Sequence, residues 1–397
     1  MNTGDDAMLG KKTPRLIAFY LPQFHPIPEN DAAWGTGFTE WNNVVKAKPK
    51  FRGHHQPHLP KDFGFYDLRL DQTRDQQAKM AGKYGIDAFC YYSYWFDNHP
   101  ILGLPLELEM SADHRYFPIC LCWANENWTR AWDGRDADLI IKQDYSAESL
   151  NNYCIYLAKK FLHNKYLKID RRPVFLVYSP DEIPASIDFP GLLRGHANNF
   201  GIQDIYMIAV KHGRAKLSSN DYIKMGYNEV LLFQPNKNDF TRAPNIKSKI
   251  KAMVRSILPN KIFNMFRLKI DSYQSVSYAG IAHNVGKRSI LDYEIPCVFP
   301  SWDNSARRTI STVIQNDNPK NFGLWLYSEM RKAQKKVSGL NAVFINAWNE
   351  WAEGCHLEPD QVLGNTYLEW IGKCKDAITD PNSDFYDIHD KSTGTQE

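Results

Sequence analysis

The feature that most constrains this chain is a series of eight short apolar runs, at 15–21, 86–92, 117–123, 173–178, 205–210, 229–233, 295–299 and 342–348. Most show no alternation with polar residues. Continuous apolar character over so few residues is what a strand buried on both faces needs, and such strands belong to parallel sheets covered by helices. Stretches of helical character fall between or after them at 67–84, 104–114, 146–163, 189–200, 214–226, 318–336 and 366–378, with Gly85 placed as a C-cap glycine would be. Eight such units predict an α/β chain closed into a (β/α)8 TIM-barrel-like single domain with long βα loops. That domain is placed at 14–379, with a flexible tail at 1–13, a basic insertion at about 240–290 and a disordered tail at 380–397. A doubly wound sheet is the weaker reading, because no GxGxxG or GxxxxGK[ST] comes after any run.

In a parallel barrel the working face is the C-terminal end of the strands, and the segments at those ends share one composition. The first run leads to Tyr20, Gln23 and His25, then along its loop to Trp34, Glu40 and Trp41. The second ends in Tyr91, Tyr92, Tyr94, Trp95 and Asn98, and the third delivers Trp123, Asn125, Glu126, Trp128 and Trp132. Lys211 and His212 come after the fifth, and Trp302, Asp303 and Asn304 after the seventh. The eighth opens into Asn346, Trp348, Asn349, Glu350, Trp351, Glu353, His356 and Glu358 around Gly354. Eleven Trp and 21 Tyr exceed what a core needs, because each carries a polar edge that wants a partner. Rings beside amides and carboxylates suit a polyhydroxylated ligand. A single-stranded nucleic-acid groove would pair such rings with Lys and Arg; these loops are acidic or neutral, and the net charge is only +3, so no nucleic-acid partner is expected.

Glu350 and Glu353 are the catalytic candidates. Three apart, they share a face if the chain makes a helical turn there, roughly 5–6 Å apart at Cβ. Two carboxylates that close cannot both ionise comfortably, and one keeps a proton near neutral pH, as a general acid for glycosidic cleavage must. Glu126 admits two readings: a partner carboxylate from another strand, or a hydrogen-bonding group that orients Asn125 or a Trp indole.

No metal and no cofactor are expected. His54, His55 and His58 have no Cys, Asp or Glu at ligand spacing nearby, and the Asp136, Asp138 pair has no nucleotide-binding βαβ unit beside it. The seven Cys form no CxxC and read as buried thiols of a reducing compartment. The N-terminus offers neither a signal peptide nor a membrane span, so a cytoplasmic address is expected. Residues 246–270 carry seven Lys or Arg and no acid among apolar residues. They read as a solvated helix or, more sharply, as a peripheral contact with an anionic inner-membrane leaflet that would bring a lipid-linked saccharide to the site.

The segments RLIAFYLPQFHPIPENDAAWGTGFTEW, CYYSYWF, CWANENWTRAWDG, PSWDNSARR and FINAWNEWAEGCHLEPD resemble, in that order, the WbsX-type proteins of bacterial surface-polysaccharide gene clusters, whose domain is related to glycoside hydrolase family 99. The resemblance spans roughly 14–375 and implies a (β/α)8 barrel. Family 99 enzymes are retaining endo-α-mannosidases with a Glu-Trp-x-Glu motif, matched here by Glu350, Trp351, Ala352 and Glu353. The resemblance implies that Glu350 assists the substrate 2-hydroxyl in forming a 1,2-anhydro sugar and that Glu353 is general acid, then base. Ala352 stands where the hydrolases carry a His. WbsX-type proteins have been labelled glycosyltransferases, so two other readings stand beside a hydrolase or transglycosidase acting on an oligosaccharide: a sugar-nucleotide glycosyltransferase and a non-catalytic carbohydrate-binding protein.

Overall fold

The computed structural model describes residues 13–130, 135–240, 273–308 and 310–380. Most of both expected tails, Trp132, the side chain of Asp136 and the basic stretch 246–270 lie outside the described residues. Eight strands form the barrel: β1 (Arg15–Tyr20), β2 (Ala88–Phe96), β3 (Ile119–Trp123), β4 (Arg172–Val177), β5 (Tyr206–Lys211), β6 (Glu229–Leu232), β7 (Glu294–Val298) and β8 (Ala342–Ile345). Each pairs in parallel with the next, from Ile17 opposite Ala88 round to Cys297 opposite Phe344. Arg15 opposite Ala342 closes the ring. The α/β barrel expected from the apolar runs is therefore the fold. Every residue of β3 is buried, because a barrel strand has side chains on one face and helices on the other.

The covering helices are α1 (Asp71–Lys83), α2 (Leu104–Met110), α3 (Ala147–Phe161), α4 (Phe189–Asn198), α5 (Ser219–Lys224), α6 (Tyr278–Gly286), α7 (Pro319–Lys335) and α8 (Thr366–Thr379). Their ends obey local chemistry. Ser146 caps α3, Ser218 and Asp221 form a capping box on α5, and Asn318 caps α7 ahead of Pro319. At the end of α1 the amides of Gly85 and Ile86 bond back to the carbonyls of Gly82 (3.1 Å) and Ala81 (3.0 Å), a Schellman closure that needs Gly85 at φ +91°.

Three departures from the sequence reading have local causes. Strand β2 runs to Phe96 where a loop was expected, because Asp97 and Asn98 both take positive φ and turn the chain into a hairpin with His99–Ile101. Strand β8 stops at Ile345, before a cis Asn346–Ala347 peptide, so Trp348 is not barrel wall. Inside the expected insertion, Tyr273–Ser277 pairs in parallel with Ser311–Gln315, and α6 comes directly after it.

Candidate active site

The loop after β8 folds back on itself. Asn349–Glu350 pairs antiparallel with Cys355–His356, and the tip is a 3-10 turn, Trp351–Glu353. Gly354 closes that turn at φ +56°, and a Cβ there would meet the backbone of Asp303 at 3.1 Å. Glycine is thus required twice, for its conformation and for the approach of the β7 loop. That loop is laced to the hairpin: the Asp303 amide donates to the Glu353 carbonyl (2.7 Å) and the Ser301 hydroxyl to that of Gly354 (2.6 Å). Asp303 then caps the turn Asn304–Ala306, and the chain delivers Arg307 into the barrel mouth.

Arg307 organises the site. Its Nη2 donates to Glu40 Oε1 and, at 2.9 Å, to Glu350 Oε2, while Nη1 lies 2.9 Å from Glu353 Oε1. Glu40, from the β1 loop, is fully buried and also accepts the Ala352 amide at 3.3 Å. Three carboxylates therefore face one guanidinium. Burial pushes Glu350 up to about 8; Arg307 opposes the shift, and the charges of Glu353 and Glu40 reinforce it. Glu353 is raised as well, first by burial and then by Glu40, against the pull of Arg307 and of the neighbouring Arg308. The pair retains a proton at neutral pH. Glu353 is the more open of the two, its side chain 22% exposed against 9% for Glu350.

Around this pair stand the half-buried rings of Tyr92, Tyr94 and Tyr178. Burial raises all three phenols, and neighbouring carboxylates add to it, Glu350 at Tyr92 and Tyr94, Glu126 and Glu353 at Tyr178. Tyr178 stacks on His212, with centroids 4.9 Å apart. His212 Nδ1 accepts the Arg214 amide at 3.2 Å, which leaves Nε2–H to donate to Ser179 Oγ at 2.9 Å; Ser179 in turn donates to Glu126 Oε1 at 2.9 Å, and Arg214 pairs with the same oxygen. Glu126 is thus held in place by Ser179 and Arg214. It orients neither Asn125, whose amide is spent on both backbone groups of Ser179, nor an indole.

Many of the aromatic and polar residues expected to meet a substrate lie elsewhere. Tyr20 and Tyr91 stack on each other at 4.2 Å on the outer face of the barrel wall, where the Tyr20 hydroxyl donates to Gln77 of α1. Trp95 and Trp123 pack against Tyr153 of α3, and Trp348 against Phe89. Strand alternation sends the rings of Tyr20, Tyr91, Trp95 and Trp123 outward, into the layer between barrel and helices, and Trp348, beyond the end of β8, meets that layer at Phe89. Trp128 packs on Tyr94 and Phe96, and Trp41 on Trp351, its indole bonded to the Tyr66 carbonyl. His25 is buried beside the Pro22 carbonyl, and Asn346 donates to that of Gln234. Asn349 clamps both backbone groups of Leu21, at 2.7 and 3.0 Å. His356 lies under Trp351, rings 3.8 Å apart, and Asp303 holds His54 (2.6 Å) and Gln56. Side chains so enclosed are engaged with other groups of the chain and hold them in place. Of the aromatic candidates among the described residues, Tyr92, Tyr94, Trp34 and Trp302 remain partly open; Trp34 stacks on Phe38 with the Arg130 guanidinium 5.7 Å from its ring.

Residues 16–371 match the family described as glycosyltransferase WbsX. The chain belongs to the WbsX family. It is 38% identical over 367 residues to uncharacterized protein WxcX of Xanthomonas campestris pv. campestris strain ATCC 33913, and 37% identical to that of strain B100; each match covers 92% of this chain and 49% of the relative. The chain thus spans about half the length of the curated relatives it matches. Among solved structures, the endo-alpha-mannosidase of glycoside hydrolase family 99 from Bacteroides thetaiotaomicron superposes with a TM-score of 0.53 at 14% identity, covering 93% of this chain and 98% of that one. A glycoside hydrolase-like protein gives 0.54 at 14%, covering 92% and 94%. At that identity the likeness establishes a shared fold. For a WbsX-family chain, sequence reasoning passed over Arg307, Tyr178 and Ser179, and counted Glu40 only among aromatic neighbours. The signal for Arg307 was present in PSWDNSARR, where an arginine comes soon after a capping Asp in a loop of the working face.

Proposed function

We propose that this chain is a carbohydrate-active enzyme that makes or breaks a glycosidic bond in bacterial lipopolysaccharide, O-antigen or another surface polysaccharide. The chemistry proposed is that of a retaining hydrolase or transglycosidase, endo-α-mannosidase-like. The observation that carries this reading is the pair Glu350 and Glu353, gathered with Glu40 on one guanidinium so that a proton stays on the pair at neutral pH. In the free chain burial keeps that proton on Glu350; with substrate bound it passes to Glu353, the more open of the two, which donates it to the departing glycosidic oxygen and leaves Glu350 ionised. Glu350 takes the proton of the substrate 2-hydroxyl, whose oxygen attacks the anomeric carbon and closes a 1,2-anhydro ring. Glu353, now ionised, removes a proton from water or from an acceptor hydroxyl, whose oxygen attacks the anomeric carbon; the C1–O2 bond breaks, Glu350 returns its proton to O2, and the ring opens with net retention. Arg307 holds both carboxylates in place throughout, and Tyr92, Tyr94, Tyr178 and Glu126 line the space where the sugars lie.

Transfer from a sugar nucleotide is the second reading, favoured by the description of the family. A cytoplasmic site and a lipid-linked saccharide substrate belong to the same proposal, with 246–270 resting on the leaflet; among the described residues no helix is long and apolar enough to cross a membrane. The test is to incubate wild type and Glu353→Gln with α-mannosidic oligosaccharides and lipid-linked glycans, with and without sugar nucleotides, and weigh the products. Cleavage or transfer by wild type alone, without a nucleotide, supports the paired-glutamate chemistry. Strict dependence on the nucleotide overturns it in favour of the second reading, and glycan binding without turnover in any mixture leaves a binding protein.

A further inference from the structure

Behind the hairpin, three side chains outside the proposed chemistry converge. One ligand atom each from His58, His356 and Asp360 lies within 4.8 Å of the other two. His58 comes from the long loop after β1, and His356, 298 positions further on, from the hairpin that also carries Glu350. His356 Nδ1–H donates to the Glu358 carbonyl at 2.8 Å, which fixes the tautomer and turns the Nε2 lone pair toward His58 Nδ1, 2.9 Å away. A backbone carbonyl on the far ring nitrogen is how metal-ligating histidines are held. Asp360 is fixed too, accepting the amides of Val362 and Leu363, each at 2.7 Å.

We propose that His58, His356 and Asp360 form a divalent-cation site, suited to Zn2+ or a similar borderline metal, that clasps the β1 loop to the hairpin bearing Glu350 and Glu353. Two imidazoles and one carboxylate with a water in the fourth position are a donor set Zn2+ accepts. Bonds of about 2.0–2.2 Å in tetrahedral geometry set ligand atoms roughly 3.3–3.6 Å apart. The two nitrogens, 2.9 Å apart, therefore need to part by about half an ångström, and the carboxylate, within 4.8 Å of both, to settle at the same spacing. His58 binds through Nδ1 once its proton has moved to Nε2, so no net proton is exchanged. The sequence alone gave no reason to expect this, because the partners of His58 lie at the other end of the chain. With Trp351 stacked on His356, the cation would brace the turn that presents Glu353 without touching a substrate.

The experiment reads metal and stability, not turnover, so it stands or falls apart from the proposed function. Chelator-stripped full-length protein is titrated with Zn2+, dialysed, and measured by elemental analysis and thermal unfolding, beside His58→Gln, whose amide can still donate to His356 but ligates metal poorly. Wild type is expected to keep one equivalent of Zn2+ and to gain about 3–5 °C in Tm at a hundredfold excess over Kd. His58→Gln should keep the metal-free Tm and lose both effects. Equal zinc content or an equal Tm shift in the two proteins overturns the site and leaves a hydrogen-bonded histidine pair. Should His58→Gln fold poorly, Co2+ absorption in wild type decides instead: the strong bands of four-coordinate Co2+ support the site, and a weak six-coordinate spectrum overturns it.

Discussion

Two ion clusters in this molecule have opposite stoichiometry. Between α1 and α2, Glu109 lies against Arg74 (3.6 Å), Arg115 and Lys165 (3.8 Å), and Asp71 pairs with the same two arginines at 3.1 and 2.7 Å. At the barrel mouth, Glu40, Glu350 and Glu353 share Arg307. The first cluster has cations to spare, so every carboxylate has an opposite charge and the whole ties one helix to the next. The second has too few: even with Arg308, which also draws on Glu353, three carboxylates outnumber the guanidinium groups. A buried carboxylate without a full counter-charge takes up a proton, and that proton is what acid–base chemistry at the mouth requires. Contacts of the same kind are structural in one place and reactive in the other, and the sign of the excess decides which.

The comparison breaks first at Glu353. Replacing it with Gln keeps the shape and removes the transferable proton, so product formation should fall by about 10²–10⁴-fold with Tm close to wild type. Retained turnover would mean that the acid lies elsewhere. Arg307→Gln tests the stoichiometry itself: three buried carboxylates lose the guanidinium they share, and stability should drop by about 3–5 kcal/mol in urea unfolding. Arg115→Gln in the other cluster leaves Glu109 with Arg74 and Lys165, so about 1.5–3 kcal/mol is expected, with turnover unchanged. Equal losses in the two variants would erase the distinction.

The barrel was legible because its strands are buried on both faces, and such runs read as apolar whatever surrounds them. The Glu350, Glu353 pair was legible because both acids lie on one turn. Arg307 and Glu40 were not, since their meeting depends on Gly354 admitting the β7 loop, an approach that no local pattern encodes. The aromatic candidates were sorted poorly for a different reason. Alternation along a strand decides whether a ring faces the mouth, as Tyr92 does, or the helices, as Tyr91 does, and composition after a strand carries no phase. Neither could the local spacing of His54, His55 and His58 reveal that Asp303 holds the first and His356 the third.

A smaller effect sharpens the same contrast through pH. Glu350 titrates at about 8 in the folded chain and near 4.3 once unfolded. Between those values the folded state binds a proton that the unfolded state has lost, so the stability this group contributes is full below about 4.3 and falls as pH rises to about 8. Glu350→Gln removes that loss. The Tm of the variant minus that of wild type should therefore become more positive from about pH 5 to pH 8; a flat difference would mean Glu350 is ionised throughout.

The smallest expected effect separates two neighbouring tyrosines. The Tyr20 hydroxyl donates to Gln77 Oε1 at 2.7 Å, and the Gln77 amide donates to Glu358, which also receives Trp351 (2.6 Å) and Tyr66 (2.8 Å). Glu358 sits eight positions beyond Glu350 on the same loop, yet these three donors are neutral where Glu350 meets a guanidinium. Tyr20→Phe should therefore cost about 1 kcal/mol of stability, the net worth of one buried hydrogen bond, and leave kcat and KM alone. Tyr92→Phe, at a half-buried ring beside Glu350, should do the reverse, lowering kcat/KM a few-fold with unfolding unchanged. If Tyr20→Phe slows turnover as much as Tyr92→Phe does, the Glu358 network takes part in the chemistry, and the line between the neutral and the charged surroundings of this loop's carboxylates has to be redrawn.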